Sequence, residues 1–364
     1  MKIFWLFNHP APYKVDFFNV LGQRADLEVY FERASEKGRN AIFYSEKPLN
    51  FSAHLCKGIS WGSLDNYTHT PIKVLKKEKF DIIVLNGWRT LTEQRTIAFC
   101  KRKKIPYVFL INGGIIKEKE SRLAKAYKTH FISGASAYLA PDEVSSRYLV
   151  YYGADKSKIR IYPYSSVFDK EVLEKPLSRE EKAKRRNELN LKGTRVFLSA
   201  GQLIARKNYE ALIRLWVSRP IGDCLYILGE GPLKEALQKV INECGLKNVF
   251  LLPYKPHAEA LRYFSAADAF LFPSKEDIYG HVINEALSQG IPVISSPKVN
   301  ATTHLIQEGK NGHIISFQNE EELNRALSSI PSKDMESNAL AVGKENTLEK
   351  SAGFFLNYFS GERL

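Results

Sequence analysis

FPSKEDIYGHVINEALSQGIPVISSP, residues 272–297, decides how the chain is read. The apolar run AADAFLF ends at Phe272 and has strand character, and Pro273-Ser274 breaks it. Residues 275–279 form a polar loop. The spacing of Val282, Ile283, Ala286 and Leu287 predicts a helix over 281–289 that opens at Gly280. Gly290 suits the left-handed position after a helix end, and Pro292 stops continuation. Val293-Ile294-Ser295 then starts a buried strand. Strand, loop, helix, strand is one βαβ unit. Its helix start at Gly280, His281 and Val282 offers unpaired amides at a positive dipole end, which suits a phosphate. Gly280 has no side chain to block a close approach. Two carboxylates, Asp277 in the loop and Glu285 in the helix, have seven residues between them. Glu285, about one turn in, is placed to accept hydrogen bonds from a ribose beside that phosphate. An ordinary βαβ unit with a solvated Glu285 is the plain alternative.

Outward from this unit the same alternation recurs. Apolar strands are expected at 3–7, 27–31, 81–85, 107–111, 137–140 and 159–162, then at 195–199, 225–228 and 249–252. Helices are expected over 15–24, 92–102, 209–217, 233–244 and 258–266. Residues 33–63 give no clear element. Asn311-Gly312-His313 reads as a turn. The alternation implies mostly parallel sheets whose strand-end loops line a cleft. A charge-dense stretch, 171–194, carries the capping box Ser178…Glu181 and reads as a linker. It divides an N-terminal domain over 1–170 from a C-terminal domain over 195–345. The amphipathic tail 346–364 is expected to pack back on the first domain.

The chain has 364 residues, 44% of them hydrophobic, enough for two cores. Its formal charge of +13 suits nucleotide phosphates, an anionic membrane face or nucleic acid. No nucleic-acid motif accompanies the charge. Cys56, Cys100, Cys224 and Cys244 are too scattered for a zinc ribbon or a disulfide framework, and point to a reducing compartment. No HExxH or DxD indicates a metal. The apolar start is too short for a signal peptide, and no run is long enough for a membrane helix. A cytoplasmic protein, peripheral on the inner membrane face, is the expectation. Basic residues gather at 101–104 and at Lys117, Lys119, Arg122, Lys125 and Lys128.

Two further loops carry chemistry. Gly201-Gln202-Leu-Ile-Ala-Arg206-Lys207 follows the strand at 195–199 and points a basic pair into the cleft. Gly229-Glu230-Gly231-Pro232 follows the next strand. It is not a dinucleotide fingerprint, because Lys234 occupies the third glycine position.

The stretch Asp277-Ile-Tyr-Gly-His-Val-Ile-Asn-Glu285 resembles the E-x7-E signature of the large retaining glycosyltransferase family 4, with Asp in place of the first Glu. The resemblance is strong over 195–317 and weak in the first half. It implies the α/β GT-B fold, two Rossmann-like domains with mostly parallel sheets facing a central cleft. It implies transfer of a hexose-type sugar from a nucleoside diphosphate sugar, UDP favoured, to a cell-surface glycan or lipid-linked saccharide, without metal or other cofactor. Loop 201–207 is similar to the family's G-R-L-x-x-x-K-G, with Gln202 replacing the Arg. Lys207 and Arg206 would then hold the donor diphosphate, Asp277 touch the sugar and Glu285 anchor the ribose. Gln202, Gly229, Gly231, Gly280, His281 and Val282 line the donor, and Tyr254 and Lys255 take the base. Pro12 and Tyr13 in the first loop resemble the family's opening, and Asn112-Gly113 stands where many members have His. Asn hydrogen-bonds a sugar hydroxyl but moves no proton. The departures at Asp277, Gln202 and Asn112 leave open a homologue that binds nucleotide sugar without turnover. A basic nucleic-acid-binding protein is the more distant alternative.

Overall fold

The computed structural model describes residues 1–35, 47–61, 65–117 and 119–361. The chain divides into two units: Met1–Ser166 with Thr347–Leu364, and Val167–Asn346. The segment 171–194 belongs to the second unit rather than standing between two bodies.

The first unit is built on β1 (Lys2–Phe7), β2 (Asp26–Phe31), β3 (Ser52–Leu55), the hairpin β4 (Ile59–Trp61) and β5 (Asp65–Tyr67), and β6 (Ile82–Asn86), β7 (Val108–Leu110), β8 (Ala137–Ala140) and β9 (Ile159–Ile161). Seven of these form a sheet in the order β3-β2-β1-β6-β7-β8-β9. Every pairing in it is parallel. Parallel strands need crossovers, which here include α1 (Pro12–Gly22), α2 (Thr70–Lys77), α3 (Leu91–Lys103), α4 (Arg122–Ile132) and α5 (Glu143–Tyr151). The inner strands are covered on both faces, so they read as unbroken apolar runs. One face packs Phe4, Leu6, Leu85 and Phe109 against Ile97, Leu149 and Tyr152. The other sets Trp5 against Phe17, Phe18 and Phe355 at ring distances of 5.7, 5.2 and 5.4 Å.

The second unit contains α6 (Arg179–Glu188), then β10 (Arg195–Ala200), α7 (Tyr209–Leu215), β11 (Asp223–Leu228), α8 (Lys234–Glu243), β12 (Val249–Leu252), α9 (His257–Ala266) and β13 (Ala269–Phe272). It continues with α10 (Val282–Ser288), β14 (Val293–Ser295), α11 (Asn300–Leu305), β15 (Gly312–Ile314), α12 (Glu320–Ser328) and α13 (Lys333–Glu345). The terminal helix α14 (Leu348–Ser360) returns to the first unit. The six-stranded sheet runs β12-β11-β10-β13-β14-β15, all parallel. Strand order reverses between β10 and β13. In doubly wound sheets the crevice outside the carboxyl ends of the strands at such a reversal is where ligands bind.

Several sequence expectations need correction. The helix expected over 281–289 is the seven-residue α10. The helix expected over 233–244 starts at Lys234, so Pro232 precedes its cap Leu233. Gly312 is not a turn residue but the first residue of β15. A Cβ there would lie 2.0 Å from the Val293 carbonyl oxygen of the neighbouring strand. The Asn311 side chain helps close the turn before it: its Oδ1 accepts from the Gln307 N–H at 2.8 Å and its Nδ2 donates to Leu305 O at 2.9 Å. Within 33–63 the structure places β3 and β4. Residues 36–46, 62–64 and 362–364 lie outside the described residues.

Candidate active site

The two loops that flank the strand reversal in the second unit are joined through two adjacent residues, Arg206 and Lys207. After β10 the chain turns at Gly201, with φ of +144°. It then makes a short 3-10 turn, Ala205–Lys207. After β13 it runs through residues 273–281 into α10. The Arg206 carbonyl accepts from the Lys275 N–H at 2.8 Å and from the Ser274 hydroxyl at 3.1 Å. The Arg206 guanidinium donates back to Glu276 O and to Asp277 Oδ2, each at 3.2 Å. The Lys207 ammonium lies 2.5 Å from Asp277 Oδ2 and 4.3 Å from the centre of the Phe272 ring. Lys207, Arg206 and Asp277, far apart in sequence, thus form one cluster.

Its electrostatics follow from burial. Lys207 is 6% exposed. Burial pulls its ammonium below the usual lysine value, and Asp277 only partly offsets this. Burial alone would raise the Asp277 carboxyl, but Lys207 and Arg206 outweigh it and hold it below the usual range. Two cations against one carboxylate leave one positive charge at the strand ends. Arg206 is the accessible member, with 46% of its side chain exposed.

Gly280 has φ of +104°, and a Cβ there would come within 2.9 Å of Val299 Cγ1. This glycine turns the chain into His281 and Val282 at the start of α10. Glu285 follows within the first turn. The glycines after β11 serve the same loop cluster. A Cβ on Gly229 would meet the Gly201 carbonyl oxygen at 1.9 Å, and one on Gly231 the Leu203 backbone at 2.5 Å. Leu203 N–H donates to Glu230 O at 2.9 Å, fastening the two loops. Gln202 is exposed beside them.

Tyr254 and Lys255 follow β12. Tyr254 is half exposed; burial of the remainder raises its phenol, and the Glu285 charge adds to the rise. Lys255 is engaged by the helix that follows it, 2.7 Å from Glu259 of α9. The sequence did not single out His257 or Glu171. His257 lies between Glu285, at 3.4 Å, and Glu171, at 3.2 Å. No spacing rule links residues 171, 257 and 285, so only the fold brings them together.

The remaining candidates belong to the first unit. Pro12 is the first residue of α1, and the Tyr13 ring stands edge-on to Tyr164 at 6.2 Å. Asn112 and Gly113 follow β7; the Tyr162 hydroxyl donates to Ile111 O at 3.0 Å, with Asn112 Oδ1 at 3.5 Å. These residues lie at the carboxyl edge of their own sheet. Of the basic residues noted above, Lys101 donates to the His130 carbonyl and Lys128 pairs with Glu120. Lys125 lies 3.7 Å from the centre of the Tyr151 ring. Among the described residues no helix is long and apolar enough to cross a membrane.

Residues 180–345 match the family model for glycosyl transferases group 1, so the second unit carries a domain of that family. The lipopolysaccharide core biosynthesis glycosyltransferase LpsE of Rhizobium meliloti (strain 1021) is 29% identical over 154 residues, 42% of this chain and 44% of that protein. An N-acetylgalactosamine-N,N'-diacetylbacillosaminyl-diphospho-undecaprenol 4-alpha-N-acetylgalactosaminyltransferase of Campylobacter jejuni is 28% identical over 143 residues, 38% of this chain and 37% of that protein. The chain therefore spans less than half the length of these two relatives. The crystal structure of HepE from Anabaena in complex with UDP has a TM-score of 0.76 and 18% identity, covering 99% of this chain and 100% of that one. The two parallel-sheet α/β domains are those of the GT-B glycosyltransferase fold.

Proposed function

We propose that the protein is a retaining glycosyltransferase that moves a hexose-type sugar from a nucleoside diphosphate sugar to a cell-surface glycan or lipid-linked saccharide. The observation that carries this reading is the Lys207–Arg206–Asp277 cluster at the strand reversal, with Glu285 following in the next helix. It lies inside the segment that matches glycosyl transferases group 1.

The chemistry asks little of a protein nucleophile. An acceptor hydroxyl attacks the anomeric carbon as the bond to the diphosphate oxygen breaks. The electron pair leaves with the diphosphate, and the acceptor proton passes to it. Charge builds on the leaving group, so fixed positive groups there lower the barrier. Lys207 and Arg206 supply them, aided by the amides at Gly280, His281 and Val282. Asp277 holds both cations in place and lies where it can touch the transferred sugar. Glu285 accepts from the ribose, and Tyr254 packs on the base, with Lys255 beside it. Gln202, Gly229 and Gly231 shape the loop floor. No metal or other cofactor has a part in this scheme.

UDP is the favoured nucleotide, since a neighbour of like fold binds it. The lipid-linked acceptor is supported by the diphospho-undecaprenol substrate named for one relative. Pro12, Tyr13, Asn112 and Gly113 are assigned to the acceptor or sugar side. Contact with an anionic membrane on the cytoplasmic side is supported by the start of α4, where Leu123 is 84% exposed beside Arg122 and Lys125, with Lys119 just before the helix. Equal sedimentation with neutral and anionic vesicles would remove that part.

A screen of nucleotide sugars for turnover, with and without lipid-linked saccharides, tests the whole reading. Turnover of one donor with net retention supports it. Nucleotide binding with no turnover of any donor replaces it with a binding protein.

A further inference from the structure

His257 opens α9 and presents both ring nitrogens to carboxylates: Nδ1 is 3.4 Å from Glu285 Oε1, and Nε2 is 3.2 Å from Glu171 Oε2. A neutral imidazole donates through one nitrogen only, whereas an imidazolium donates through both. Burial alone would strip the second proton, but the two carboxylates outweigh it and push the ring up to about 10. The ring is therefore charged at neutral pH. Other ionisable groups around the three are Tyr254 next to Glu285, the Lys255–Glu259 pair beside His257 and Lys170 next to Glu171.

Glu171 is itself fastened. Its Oε2 accepts from the Phe168 N–H at 2.8 Å, and its carbonyl accepts from Gln289 Nε2 at 2.8 Å. The Leu173 N–H donates to Ser288 O at 3.0 Å. The turn at 169–171 is thus tied to the C-terminal end of α10, the helix that carries Glu285. The imidazolium braces one side chain of that helix against a turn bonded to the end of the same helix.

We infer that His257 is a positioning residue for the nucleotide ribose: gripped by Glu171, it sets the orientation of the Glu285 carboxylate before a nucleotide arrives. This rests on the reading of Glu285 as the ribose acceptor. A pre-set carboxylate loses less rotamer freedom on binding. The same cation leaves the two carboxylates with one net negative charge instead of two, which lowers their repulsion of an incoming diphosphate.

The test is calorimetric titration of the full chain with UDP and with 2′-deoxy-UDP, which lacks one ribose hydroxyl. The wild type should bind UDP about 10-fold more tightly than the deoxy form, the usual worth of a hydrogen bond to a charged group. His257→Ala should weaken UDP by about 10-fold and the deoxy form by less than about 2-fold. His257→Gln, which keeps a donor, should recover part of the UDP affinity, and Glu171→Gln should fall between it and the wild type. These last two variants carry the test if His257→Ala fails to fold. Equal losses for both nucleotides would overturn the inference while leaving a nucleotide site in place. A wild type that binds no nucleoside diphosphate would overturn the functional reading, and this inference with it.

Discussion

In the proposed reading Lys207 has two tasks, to pair with a buried carboxylate and to hold the donor diphosphate. Its ammonium is buried, so it needs Asp277, and Asp277 is buried enough to need Lys207. Lys207→Ala should reduce turnover by roughly 10²–10³-fold, the usual loss when one transition-state donor is removed. Breaking a buried pair also destabilises, so the melting curve must be followed beside the rate. A wild-type rate in a folded variant would end the role assigned to Lys207. Glu285→Ala should act differently, raising the donor KM by about 10-fold through a lost charge-assisted hydrogen bond. Unaltered donor saturation would argue against ribose contact.

A second pair of acids, in the first unit, makes a pH prediction. Glu93 is fully buried at the start of α3, where it accepts the Thr90 N–H at 2.9 Å in a capping box. Burial pushes its carboxyl up to about 7. Glu32 is pushed well up by burial and by the Glu93 charge. Folded pKa values above the unfolded ones mean that the folded state binds more protons between the two. The stabilisation is full at low pH and is lost as pH rises through that window. Stability should therefore decline from about pH 5 to about pH 8. Glu93→Gln keeps the capping acceptor and should flatten the decline in urea midpoint. An unchanged slope would place its source elsewhere.

At the scale of elements, the short helix α10 depends on how the chain enters it. Gly280→Ala forces a side chain into φ of +104° and against Val299 and Phe272. It should cost about 1–3 kcal/mol and weaken donor binding. A variant as stable as the wild type by urea titration would contradict the strain. The inner parallel strands were legible because they are covered on both faces: Ile3, Phe4, Trp5 and Leu6 all read apolar and are all buried. The loops after β10 and β13 were legible because each leaves an apolar run and carries charged residues within a few positions of its end. Edge strand β3, SAHL, was not, since all four residues are exposed and none marks a core. Gly312 misled because the pleat, not a turn, demands its missing side chain. His257 was hidden because its meaning lies in Glu171 and Glu285, which only the crossover connections bring near.

At the scale of the molecule, the chain leaves the first unit after Ser166, completes the second, and returns at Thr347. The return has a physical reason in the first sheet. Trp5 lies inside it, on β1, the strand from which strand order departs in both directions, and one face of it needs a cover. α1 supplies part through Phe17 and Phe18. α14 supplies the rest through Phe355, which lies 5.4 Å from Trp5, 5.2 Å from Phe17 and 5.1 Å from Tyr162 by ring centres. The last helix of the chain is thus part of the core begun by its first strand. Phe355 is 1% exposed, so replacing it leaves a cavity among the surrounding rings. Phe355→Ala should destabilise the first unit by about 3–5 kcal/mol. Because β1 and α1 make these contacts directly, their amides should lose hydrogen-exchange protection by about 10²-fold or more, each 1.4 kcal/mol being a factor of ten. Protection in β1 and α1 equal to the wild type would show that α14 merely covers the surface of the sheet and does not complete its core.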